Sequence, residues 1–185
     1  PVAIGEGPIG ANLQPQSKFD AWVKRAEEGG DADLLTMKLC YVDIMLDGNP
    51  DAVFAAYQQA VMRVRKAKPS AKILHITVTL TARGTGVKSW LKRTLGRPVW
   101  DDESNLRRLA YNRALRAAYP GEPIFDLATV ESTRPDGSRE EHTVSGQPVP
   151  MMWPGYTDDG GHLNARGQRV AARAFIAALA DALRK

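Results

Sequence analysis

The chain has 185 residues, of which 43% are hydrophobic and 25% are charged, a size and balance typical of one globular domain spanning residues 1–185. This composition excludes a mainly disordered chain, and its single cysteine excludes an internal disulfide and a multi-cysteine metal site. The net charge of +4 is lower than expected for a dedicated nucleic-acid-binding domain, and no apolar run reaches the roughly 18 residues of a membrane-spanning helix.

The first half of the chain begins with a predicted strand end at Pro1–Ile4 and a loop at Gly5–Gln16. Apolar residues at helical spacing then predict a short helix that stops at Gly29-Gly30. The apolar run Ala32–Leu46 has little helical periodicity, which favours a strand buried on both faces. Asn49-Pro50 is typical of a helix start, with a capping side chain followed by proline.

The second half continues the alternation of strands and helices after Pro69 ends that second helix. The predicted elements are a buried strand at Lys72–Leu80, a basic loop at Thr81–Val99, a helix from Asp101 or Asp102 to Pro120, a strand at Pro123–Ala128, a long loop at Thr129–Gly161 and a last helix capped by Asn164.

Strands that alternate with helices predict an α/β fold of three layers, a mostly parallel sheet covered by helices on both faces. Functional sites in such sheets lie in the loops at the carboxyl ends of the strands. The loops expected at that edge are Gly5–Gln16, Val42–Asn49, Thr81–Gly96 and Thr129–Gly161.

One of these loops ends in the segment YTDDGGHLNARG, residues 156–167, which holds the strongest candidates for catalysis. Asp159 lies three residues before His162, so its carboxylate can accept a hydrogen bond from the imidazole Nδ1. That bond would fix the tautomer and leave Nε2 free to act as a general base. The alternative is an exposed polar turn that caps the following helix.

The same segment resembles the last sequence block of the SGNH (GDSL-type) hydrolases, an Asp-x-x-His before the C-terminal helix. ADLLTMKLCYVDIM, residues 32–45, is similar to the family's third block, and GPIGAN, residues 7–12, to its second. The resemblance implies a flavodoxin-like sheet, an esterase activity, and His162 and Asp159 as catalytic residues. It also implies that the backbone N–H of Gly10 helps to bind the oxyanion.

The third block departs from the family pattern, because the stretch CYVD lacks the asparagine that helps to bind the oxyanion there. Tyr41 or Asp43 would then point into the site, or Asn12 would take the role from the neighbouring loop. For Asp43 the alternative is a loop cap.

The family's nucleophilic serine belongs on a first strand that has no counterpart in this sequence. The seven serines of the chain lack that setting, and Ser132 is the least unsuitable; they are Ser17, Ser70, Ser89, Ser104, Ser132, Ser138 and Ser145. We therefore expect the native protein to be longer, with the serine upstream of Pro1 and a gap or additional polypeptide beside Leu34–Val42. A fold closed over that gap is the alternative.

The remaining candidate residues favour structural roles. His75 within a strand is interpreted as a core histidine, His142 as a solvated loop residue, and Cys40 as a small core residue. The dinucleotide-like spacing Gly5–Gly10 lacks a preceding full strand and a helix at its end, so no cofactor is expected. Three scattered histidines predict no metal site.

These observations predict an ester hydrolase that acts on an acyl or carbohydrate ester, with its serine outside the chain. One alternative is a binding protein that kept the fold and lost the chemistry. Another is a nucleic-acid-binding domain that uses the basic face Arg83–Arg116, although no nucleic-acid partner is expected. The compartment is left open, with secretion expected only if a signal peptide precedes the segment.

Overall fold

The computed structural model describes residue 7 and residues 10–184. The predicted strand end Pro1–Ile4 lies outside the described residues. The elements, in chain order, are α1 (Pro15–Glu28), β1 (Leu34–Thr36), a 3₁₀ turn (Tyr41–Asp43), α2 (Pro50–Ala67), β2 (Lys72–Ile76), α3 (Val87–Thr94), α4 (Trp100–Ala118), β3 (Ile124–Phe125), α5 (Leu127–Ser132), β4 (Glu141–Val144), β5 (Gln147–Pro150), a second 3₁₀ turn (Pro154–Tyr156) and α6 (Ala165–Arg184).

The central sheet consists of β1, β2 and β3 in that order, and both pairings are parallel. Leu34 is paired with Lys72, and His75 with Ile124. Strands β4 and β5 form a separate antiparallel hairpin. Within the described part of the chain β1 is an edge strand, since it pairs only with β2.

Helices cover both faces of the sheet. Helices α1, α2 and α4 share one core, whose largest members include Trp22, Tyr57 and Tyr111. On the other face α6 packs against β2 and β3 through Phe175, which meets Phe125 with ring centroids 5.3 Å apart. The predicted three-layer α/β/α architecture with a parallel sheet is therefore confirmed.

The predicted strand Lys72–Leu80 pairs with its neighbours only as far as the end of β2, although its last residues are also buried. Buried asparagines take over the backbone hydrogen bonds beyond that point. The Asn112 amide accepts from Val78 N at 2.7 Å and donates to Val78 O at 3.0 Å. Asn105 binds N and O of Thr81 in the same way, at 3.0 and 2.8 Å.

Three other predicted boundaries were wrong. The strand predicted at Ala32–Leu46 is limited to β1, and the chain cannot continue as a strand to Leu46 because it turns at Tyr41–Asp43, where Asp43 N donates to Cys40 O. The loop Thr81–Val99 contains helix α3. The loop Thr129–Gly161 contains most of α5 and the β4–β5 hairpin.

Side-chain caps fix the starts of two helices as predicted. The Asn49 side chain accepts from the amides of Asp51 and Ala52 at the start of α2. The Asn164 side chain accepts from two amides in the first turn of α6, each at 3.1 Å. This second cap places the start of α6 directly after the Asp159–His162 turn.

Candidate active site

The Asp159–His162 turn forms a hydrogen-bonded carboxylate–imidazole pair. Asp159 Oδ2 lies 2.6 Å from His162 Nδ1. Asp159 Oδ1 accepts from the backbone amides of Gly161 at 2.8 Å and His162 at 2.7 Å. Because an ionised carboxylate only accepts hydrogen bonds, the proton belongs on Nδ1, and Nε2 keeps its lone pair.

The Asp159–His162 turn is hydrogen-bonded to the segment that follows β2. Gly160 has φ +86°, a conformation that glycine adopts without strain, and its carbonyl accepts from Ala82 N at 2.8 Å. Its amide donates to Thr157 Oγ1 at 2.9 Å. The fold therefore anchors the turn through Ala82 and Thr157, and both side chains of the pair are largely exposed.

The electrostatics of the pair favour the charged carboxylate. The backbone amides of His162 and Gly161, together with the His162 side chain, hold the pKa of Asp159 well below its usual range. Asp159 is consequently ionised throughout the range in which an imidazole titrates. A carboxylate of this kind orients an imidazole and stabilises its protonated form.

His162 borders a cavity of about 520 Å³ between the start of α6 and the carboxyl ends of the strands. Most of its wall is apolar, with Ile76, Leu127 and Phe175 among the lining residues. The polar residues on the wall are Lys38, Cys40, Tyr41, Thr79, Glu131, His162 and Gln168. An apolar cavity with a few convergent polar groups is typical of a small-molecule site.

Tyr41 packs directly against the pair. Its ring meets the His162 imidazole edge to face, with centroids 5.5 Å apart. The Arg108 guanidinium lies 5.6 Å from the Tyr41 ring centroid, and Arg108 Nε donates to the Tyr41 carbonyl at 3.0 Å. A Cβ at Gly161 would come within 2.8 Å of the Tyr41 hydroxyl, so this turn approaches the ring closely. Burial raises the pKa of Tyr41, which keeps the phenol neutral.

The structure does not bring Asp43 to the cavity. Its buried carboxylate is occupied by Lys18 Nζ at 2.5 Å, by Cys40 N at 2.7 Å and by Leu13 N at 3.1 Å. Of the two sequence-based interpretations, site residue or loop cap, the contacts are those of a loop cap.

Gly10 and Asn12 also lie apart from the residues that line the cavity, and both are exposed. The Asn12 side-chain oxygen accepts from Lys18 Nζ at 2.9 Å. Gly10 has φ +60° and lies against the backbone of Ser17 and Lys18. The expected oxyanion roles of Gly10 and Asn12 therefore find no support in this geometry.

The described serines do not line the cavity. Ser132, the least unsuitable by sequence, is buried within α5, where its hydroxyl donates to Ala128 O at 2.5 Å. Cys40, interpreted from the sequence as a core residue, is half-buried and lies on the cavity wall. Its sulfur accepts from Asp43 N in the 3₁₀ turn.

Of the other two histidines, His75 has the core surroundings predicted for it, but the prediction of a solvated loop residue was wrong for His142, which is half-buried on a strand. His75 is fully buried between Tyr57, whose hydroxyl lies 2.7 Å from Nδ1, and Glu122, whose Oε2 lies 3.1 Å from Nε2. His142 lies on β4 and binds Glu140 at 2.6 Å. No cluster of metal-ligating side chains occurs among residues 7 and 10–184.

Glu131 is a cavity residue that sequence reasoning missed. Its Oε2 accepts from Leu80 N at 2.7 Å, in continuation of the asparagine contacts that follow β2. Its Oε1 and the Thr79 hydroxyl, both buried, have no hydrogen-bond partner among the described residues. Burial raises the pKa of Glu131 to about 8. No sequence signal distinguished it, because it falls within a segment predicted to be a polar loop.

A solved structure with a similar fold is that of a putative acylhydrolase from Bacteroides fragilis. The likeness has a TM-score of 0.51 at 17% sequence identity and covers 89% of this chain and 71% of that chain. No family model matches the chain, and no curated protein matches it. The structural likeness supports the α/β fold described above.

Proposed function

We propose that the protein is an ester hydrolase of the SGNH (GDSL) type. The observation that carries the proposal is the Asp159–His162 pair, hydrogen-bonded at 2.6 Å, at the border of an apolar cavity. Nε2 of His162 has no hydrogen-bond partner among the described residues, so it is available to a nucleophile. The proposal is further supported by the B. fragilis acylhydrolase-like structure, through the fold alone.

In the proposed reaction a serine hydroxyl attacks the ester carbonyl and its proton passes to His162 Nε2. The tetrahedral intermediate collapses when the C–O bond to the alcohol breaks, and the same proton passes from Nε2 to the leaving oxygen. Water then repeats these steps on the acyl-enzyme. Asp159 holds the imidazole in place and stabilises the imidazolium in both halves of the reaction.

The serine is proposed to come from outside these 185 residues. The unpaired side of β1 supports this assignment. A parallel strand added there would have its carboxyl end on the same side of the sheet as Cys40 and Tyr41, which follow β1. Both residues line the cavity together with His162. A nucleophile at the end of such a strand would lie in the region of His162 Nε2.

The proposed substrates are acyl or carbohydrate esters. The apolar part of the cavity wall, Ile76, Leu127 and Phe175, supports an acyl group as the buried portion. A series of nitrophenyl esters from acetate to octanoate measures the preferred chain length, and an acetylated sugar tests the carbohydrate alternative.

Hydrolysis of nitrophenyl acetate by the natural protein, with and without His162→Ala, tests the proposal against its rivals. Turnover that needs His162 supports the hydrolase. Absence of turnover on every ester favours a binding protein that kept only the fold. DNA or RNA affinity that falls steeply with salt favours the nucleic-acid alternative.

A further inference from the structure

Helix α3 presents its apolar face to solvent. Three large apolar side chains of the helix are exposed: Val87 by 78%, Trp90 by 63% and Leu91 by 48%. Leu95, directly after the helix, is exposed by 60%. At 100° per residue these four positions fall within one arc of the helix surface. A surface helix of a globular domain normally buries such an arc against the core.

The opposite, polar side of α3 attaches it to the protein. Arg93 donates to Asp102 at 2.8 Å and to the Gly84 carbonyl at 2.7 Å. Ser89, one turn before Arg93, lies near Gly84. Ser89 and Arg93 are the α3 residues that are not exposed. The fold therefore holds α3 by an ion pair and leaves the apolar face, here called the α3 face, uncovered within the described part of the chain.

Cations flank the α3 face. Lys88, Lys92 and Arg97 are exposed, and none of them forms an ion pair with another described residue. Residues 81–100 contain five cationic and no acidic side chains, so this segment alone carries +5 in a chain whose net charge is +4. Arg93 is neutralised by Asp102, which leaves the flanking cations as the charge that a partner meets.

From this combination we propose that the α3 face binds an anionic lipid surface. Apolar side chains that include a tryptophan enter the interface, and lysine and arginine at its border bind the acidic headgroups. Helix α3 has eight residues, about 12 Å at 1.5 Å per residue, so it lies along the surface and does not cross it. Among residues 7 and 10–184, none of the helices has the length and apolar character needed to cross a bilayer.

The other partners fit these observations less well. A nucleic acid would use the cations but would leave four apolar side chains in water. A second copy docked face to face would cover the apolar residues but would offer no acidic side chain from residues 81–100 to Lys88 and Lys92. An anionic bilayer satisfies both features together.

The position of α3 relates this surface to the candidate active site. Ala82 donates to Gly160 within the Asp159–His162 turn, and two residues later Gly84 accepts from Arg93 of α3. Residues 82–84 therefore connect helix α3 with the Asp159–His162 turn. The binding itself does not depend on the hydrolase proposal, because it involves no residue of the Asp159–His162 pair.

The test measures co-sedimentation of the 185-residue chain with vesicles of equal phosphatidylglycerol and phosphatidylcholine, and with vesicles of phosphatidylcholine alone. We expect binding to the anionic vesicles and a blue shift in tryptophan emission that Trp90→Phe removes. The pair Trp90→Ser and Leu91→Ser should weaken binding by about tenfold or more. Lys88→Gln with Lys92→Gln should weaken it and reduce its salt dependence.

Matched controls make the result specific to the α3 face. Met62→Ser on α2 and Ile176→Ser on α6 remove exposed apolar side chains elsewhere, and Lys66→Gln removes a distant exposed cation. These controls should bind vesicles like the wild type. No binding to anionic vesicles, equal loss in the controls, or a dimer that Leu91→Ser dissociates would each overturn the proposal. So would an affinity for oligonucleotides stronger than that for the vesicles.

Discussion

The ring of Tyr41 meets the imidazole of His162 edge to face, at 5.5 Å between centroids and 74° between planes. The pair is otherwise largely exposed, so the Tyr41 ring adds a second contact to the imidazole besides its hydrogen bond with Asp159. Arg108 lies against the same tyrosine ring and also binds the Tyr41 carbonyl. A buried cation, an aromatic ring and the imidazole thus form one continuous contact.

Tyr41 is accordingly expected to act as a positioning residue. Tyr41→Phe keeps the ring contact and should retain most of the esterase kcat of the natural protein. Tyr41→Ala removes the ring and should lower kcat by about tenfold or more, with a smaller change in KM. A Phe variant as impaired as the Ala variant would instead assign the role to the hydroxyl.

The Asp159–His162 pair is expected to carry most of the catalytic effect. In the natural protein His162→Ala should reduce kcat/KM by several orders of magnitude, because the general base is lost. Asp159→Asn should cost less, because the imidazole remains but is misoriented. His142→Ala, which removes a histidine of β4, is the matched control and should leave the rate close to that of the wild type. Near-normal turnover in His162→Ala would contradict the proposed triad.

Glu131 is expected to make stability depend on pH. Its folded pKa of about 8 lies above its ordinary value of 4.5, so the folded state holds a proton that the unfolded state releases. Stability is therefore greatest below about pH 4.5 for this group and is lost as pH rises towards 8. The loss is on the order of a few kcal/mol at most, at 1.36 kcal/mol per pKa unit.

Urea unfolding from pH 5 to 8 measures that dependence. Glu131→Gln should flatten the fall in the free energy of unfolding over this range, because the amide does not titrate. The exposed Glu141→Gln on β4 is the control and should keep the wild-type slope. A Glu131→Gln slope as steep as that of the wild type would show that Glu131 is already ionised in the folded protein.

Local sequence patterns predicted those parts of the fold and site that depend on neighbouring residues. The caps Asn49 and Asn164 and the Asp159–His162 turn each involve residues within a few positions of one another. The pairing of Asp43 with Lys18 joins positions 25 residues apart, and the bond from Leu80 to Glu131 joins positions 51 apart. Such contacts depend on tertiary packing and leave no local signal.

Contacts between residues far apart in sequence also explain why β2 is shorter than the predicted strand Lys72–Leu80. Val78 is an apolar, β-branched residue of the kind favoured in strands. Its backbone N–H and C=O, however, are both hydrogen-bonded to the side-chain amide of Asn112, 34 residues away. Propensity identifies extended, buried backbone without identifying what satisfies its hydrogen bonds. The sequence therefore predicted the burial of this segment correctly and the length of its strand wrongly.

The nucleophile is expected to be a serine outside the 185 residues. A fluorophosphonate probe forms a phosphorus–oxygen bond with an activated serine, fluoride leaves, and the hydroxyl proton passes to the base. We expect the probe to label the natural protein on a serine outside the 185 residues and not to label the 185-residue chain alone. His162→Ala should suppress that labelling, since the serine then lacks its base.

Two variants within the chain make this prediction specific. Ser132→Ala should not alter labelling, because the Ser132 hydroxyl is buried and bonded to Ala128 O. Cys40→Ser should retain esterase activity, although Cys40 lines the same cavity as His162. Stoichiometric labelling of any of the seven serines, or loss of activity in Cys40→Ser with alkylation of Cys40 by iodoacetamide, would place the nucleophile within the chain. Either result would show that the active site is complete without a further strand beside β1.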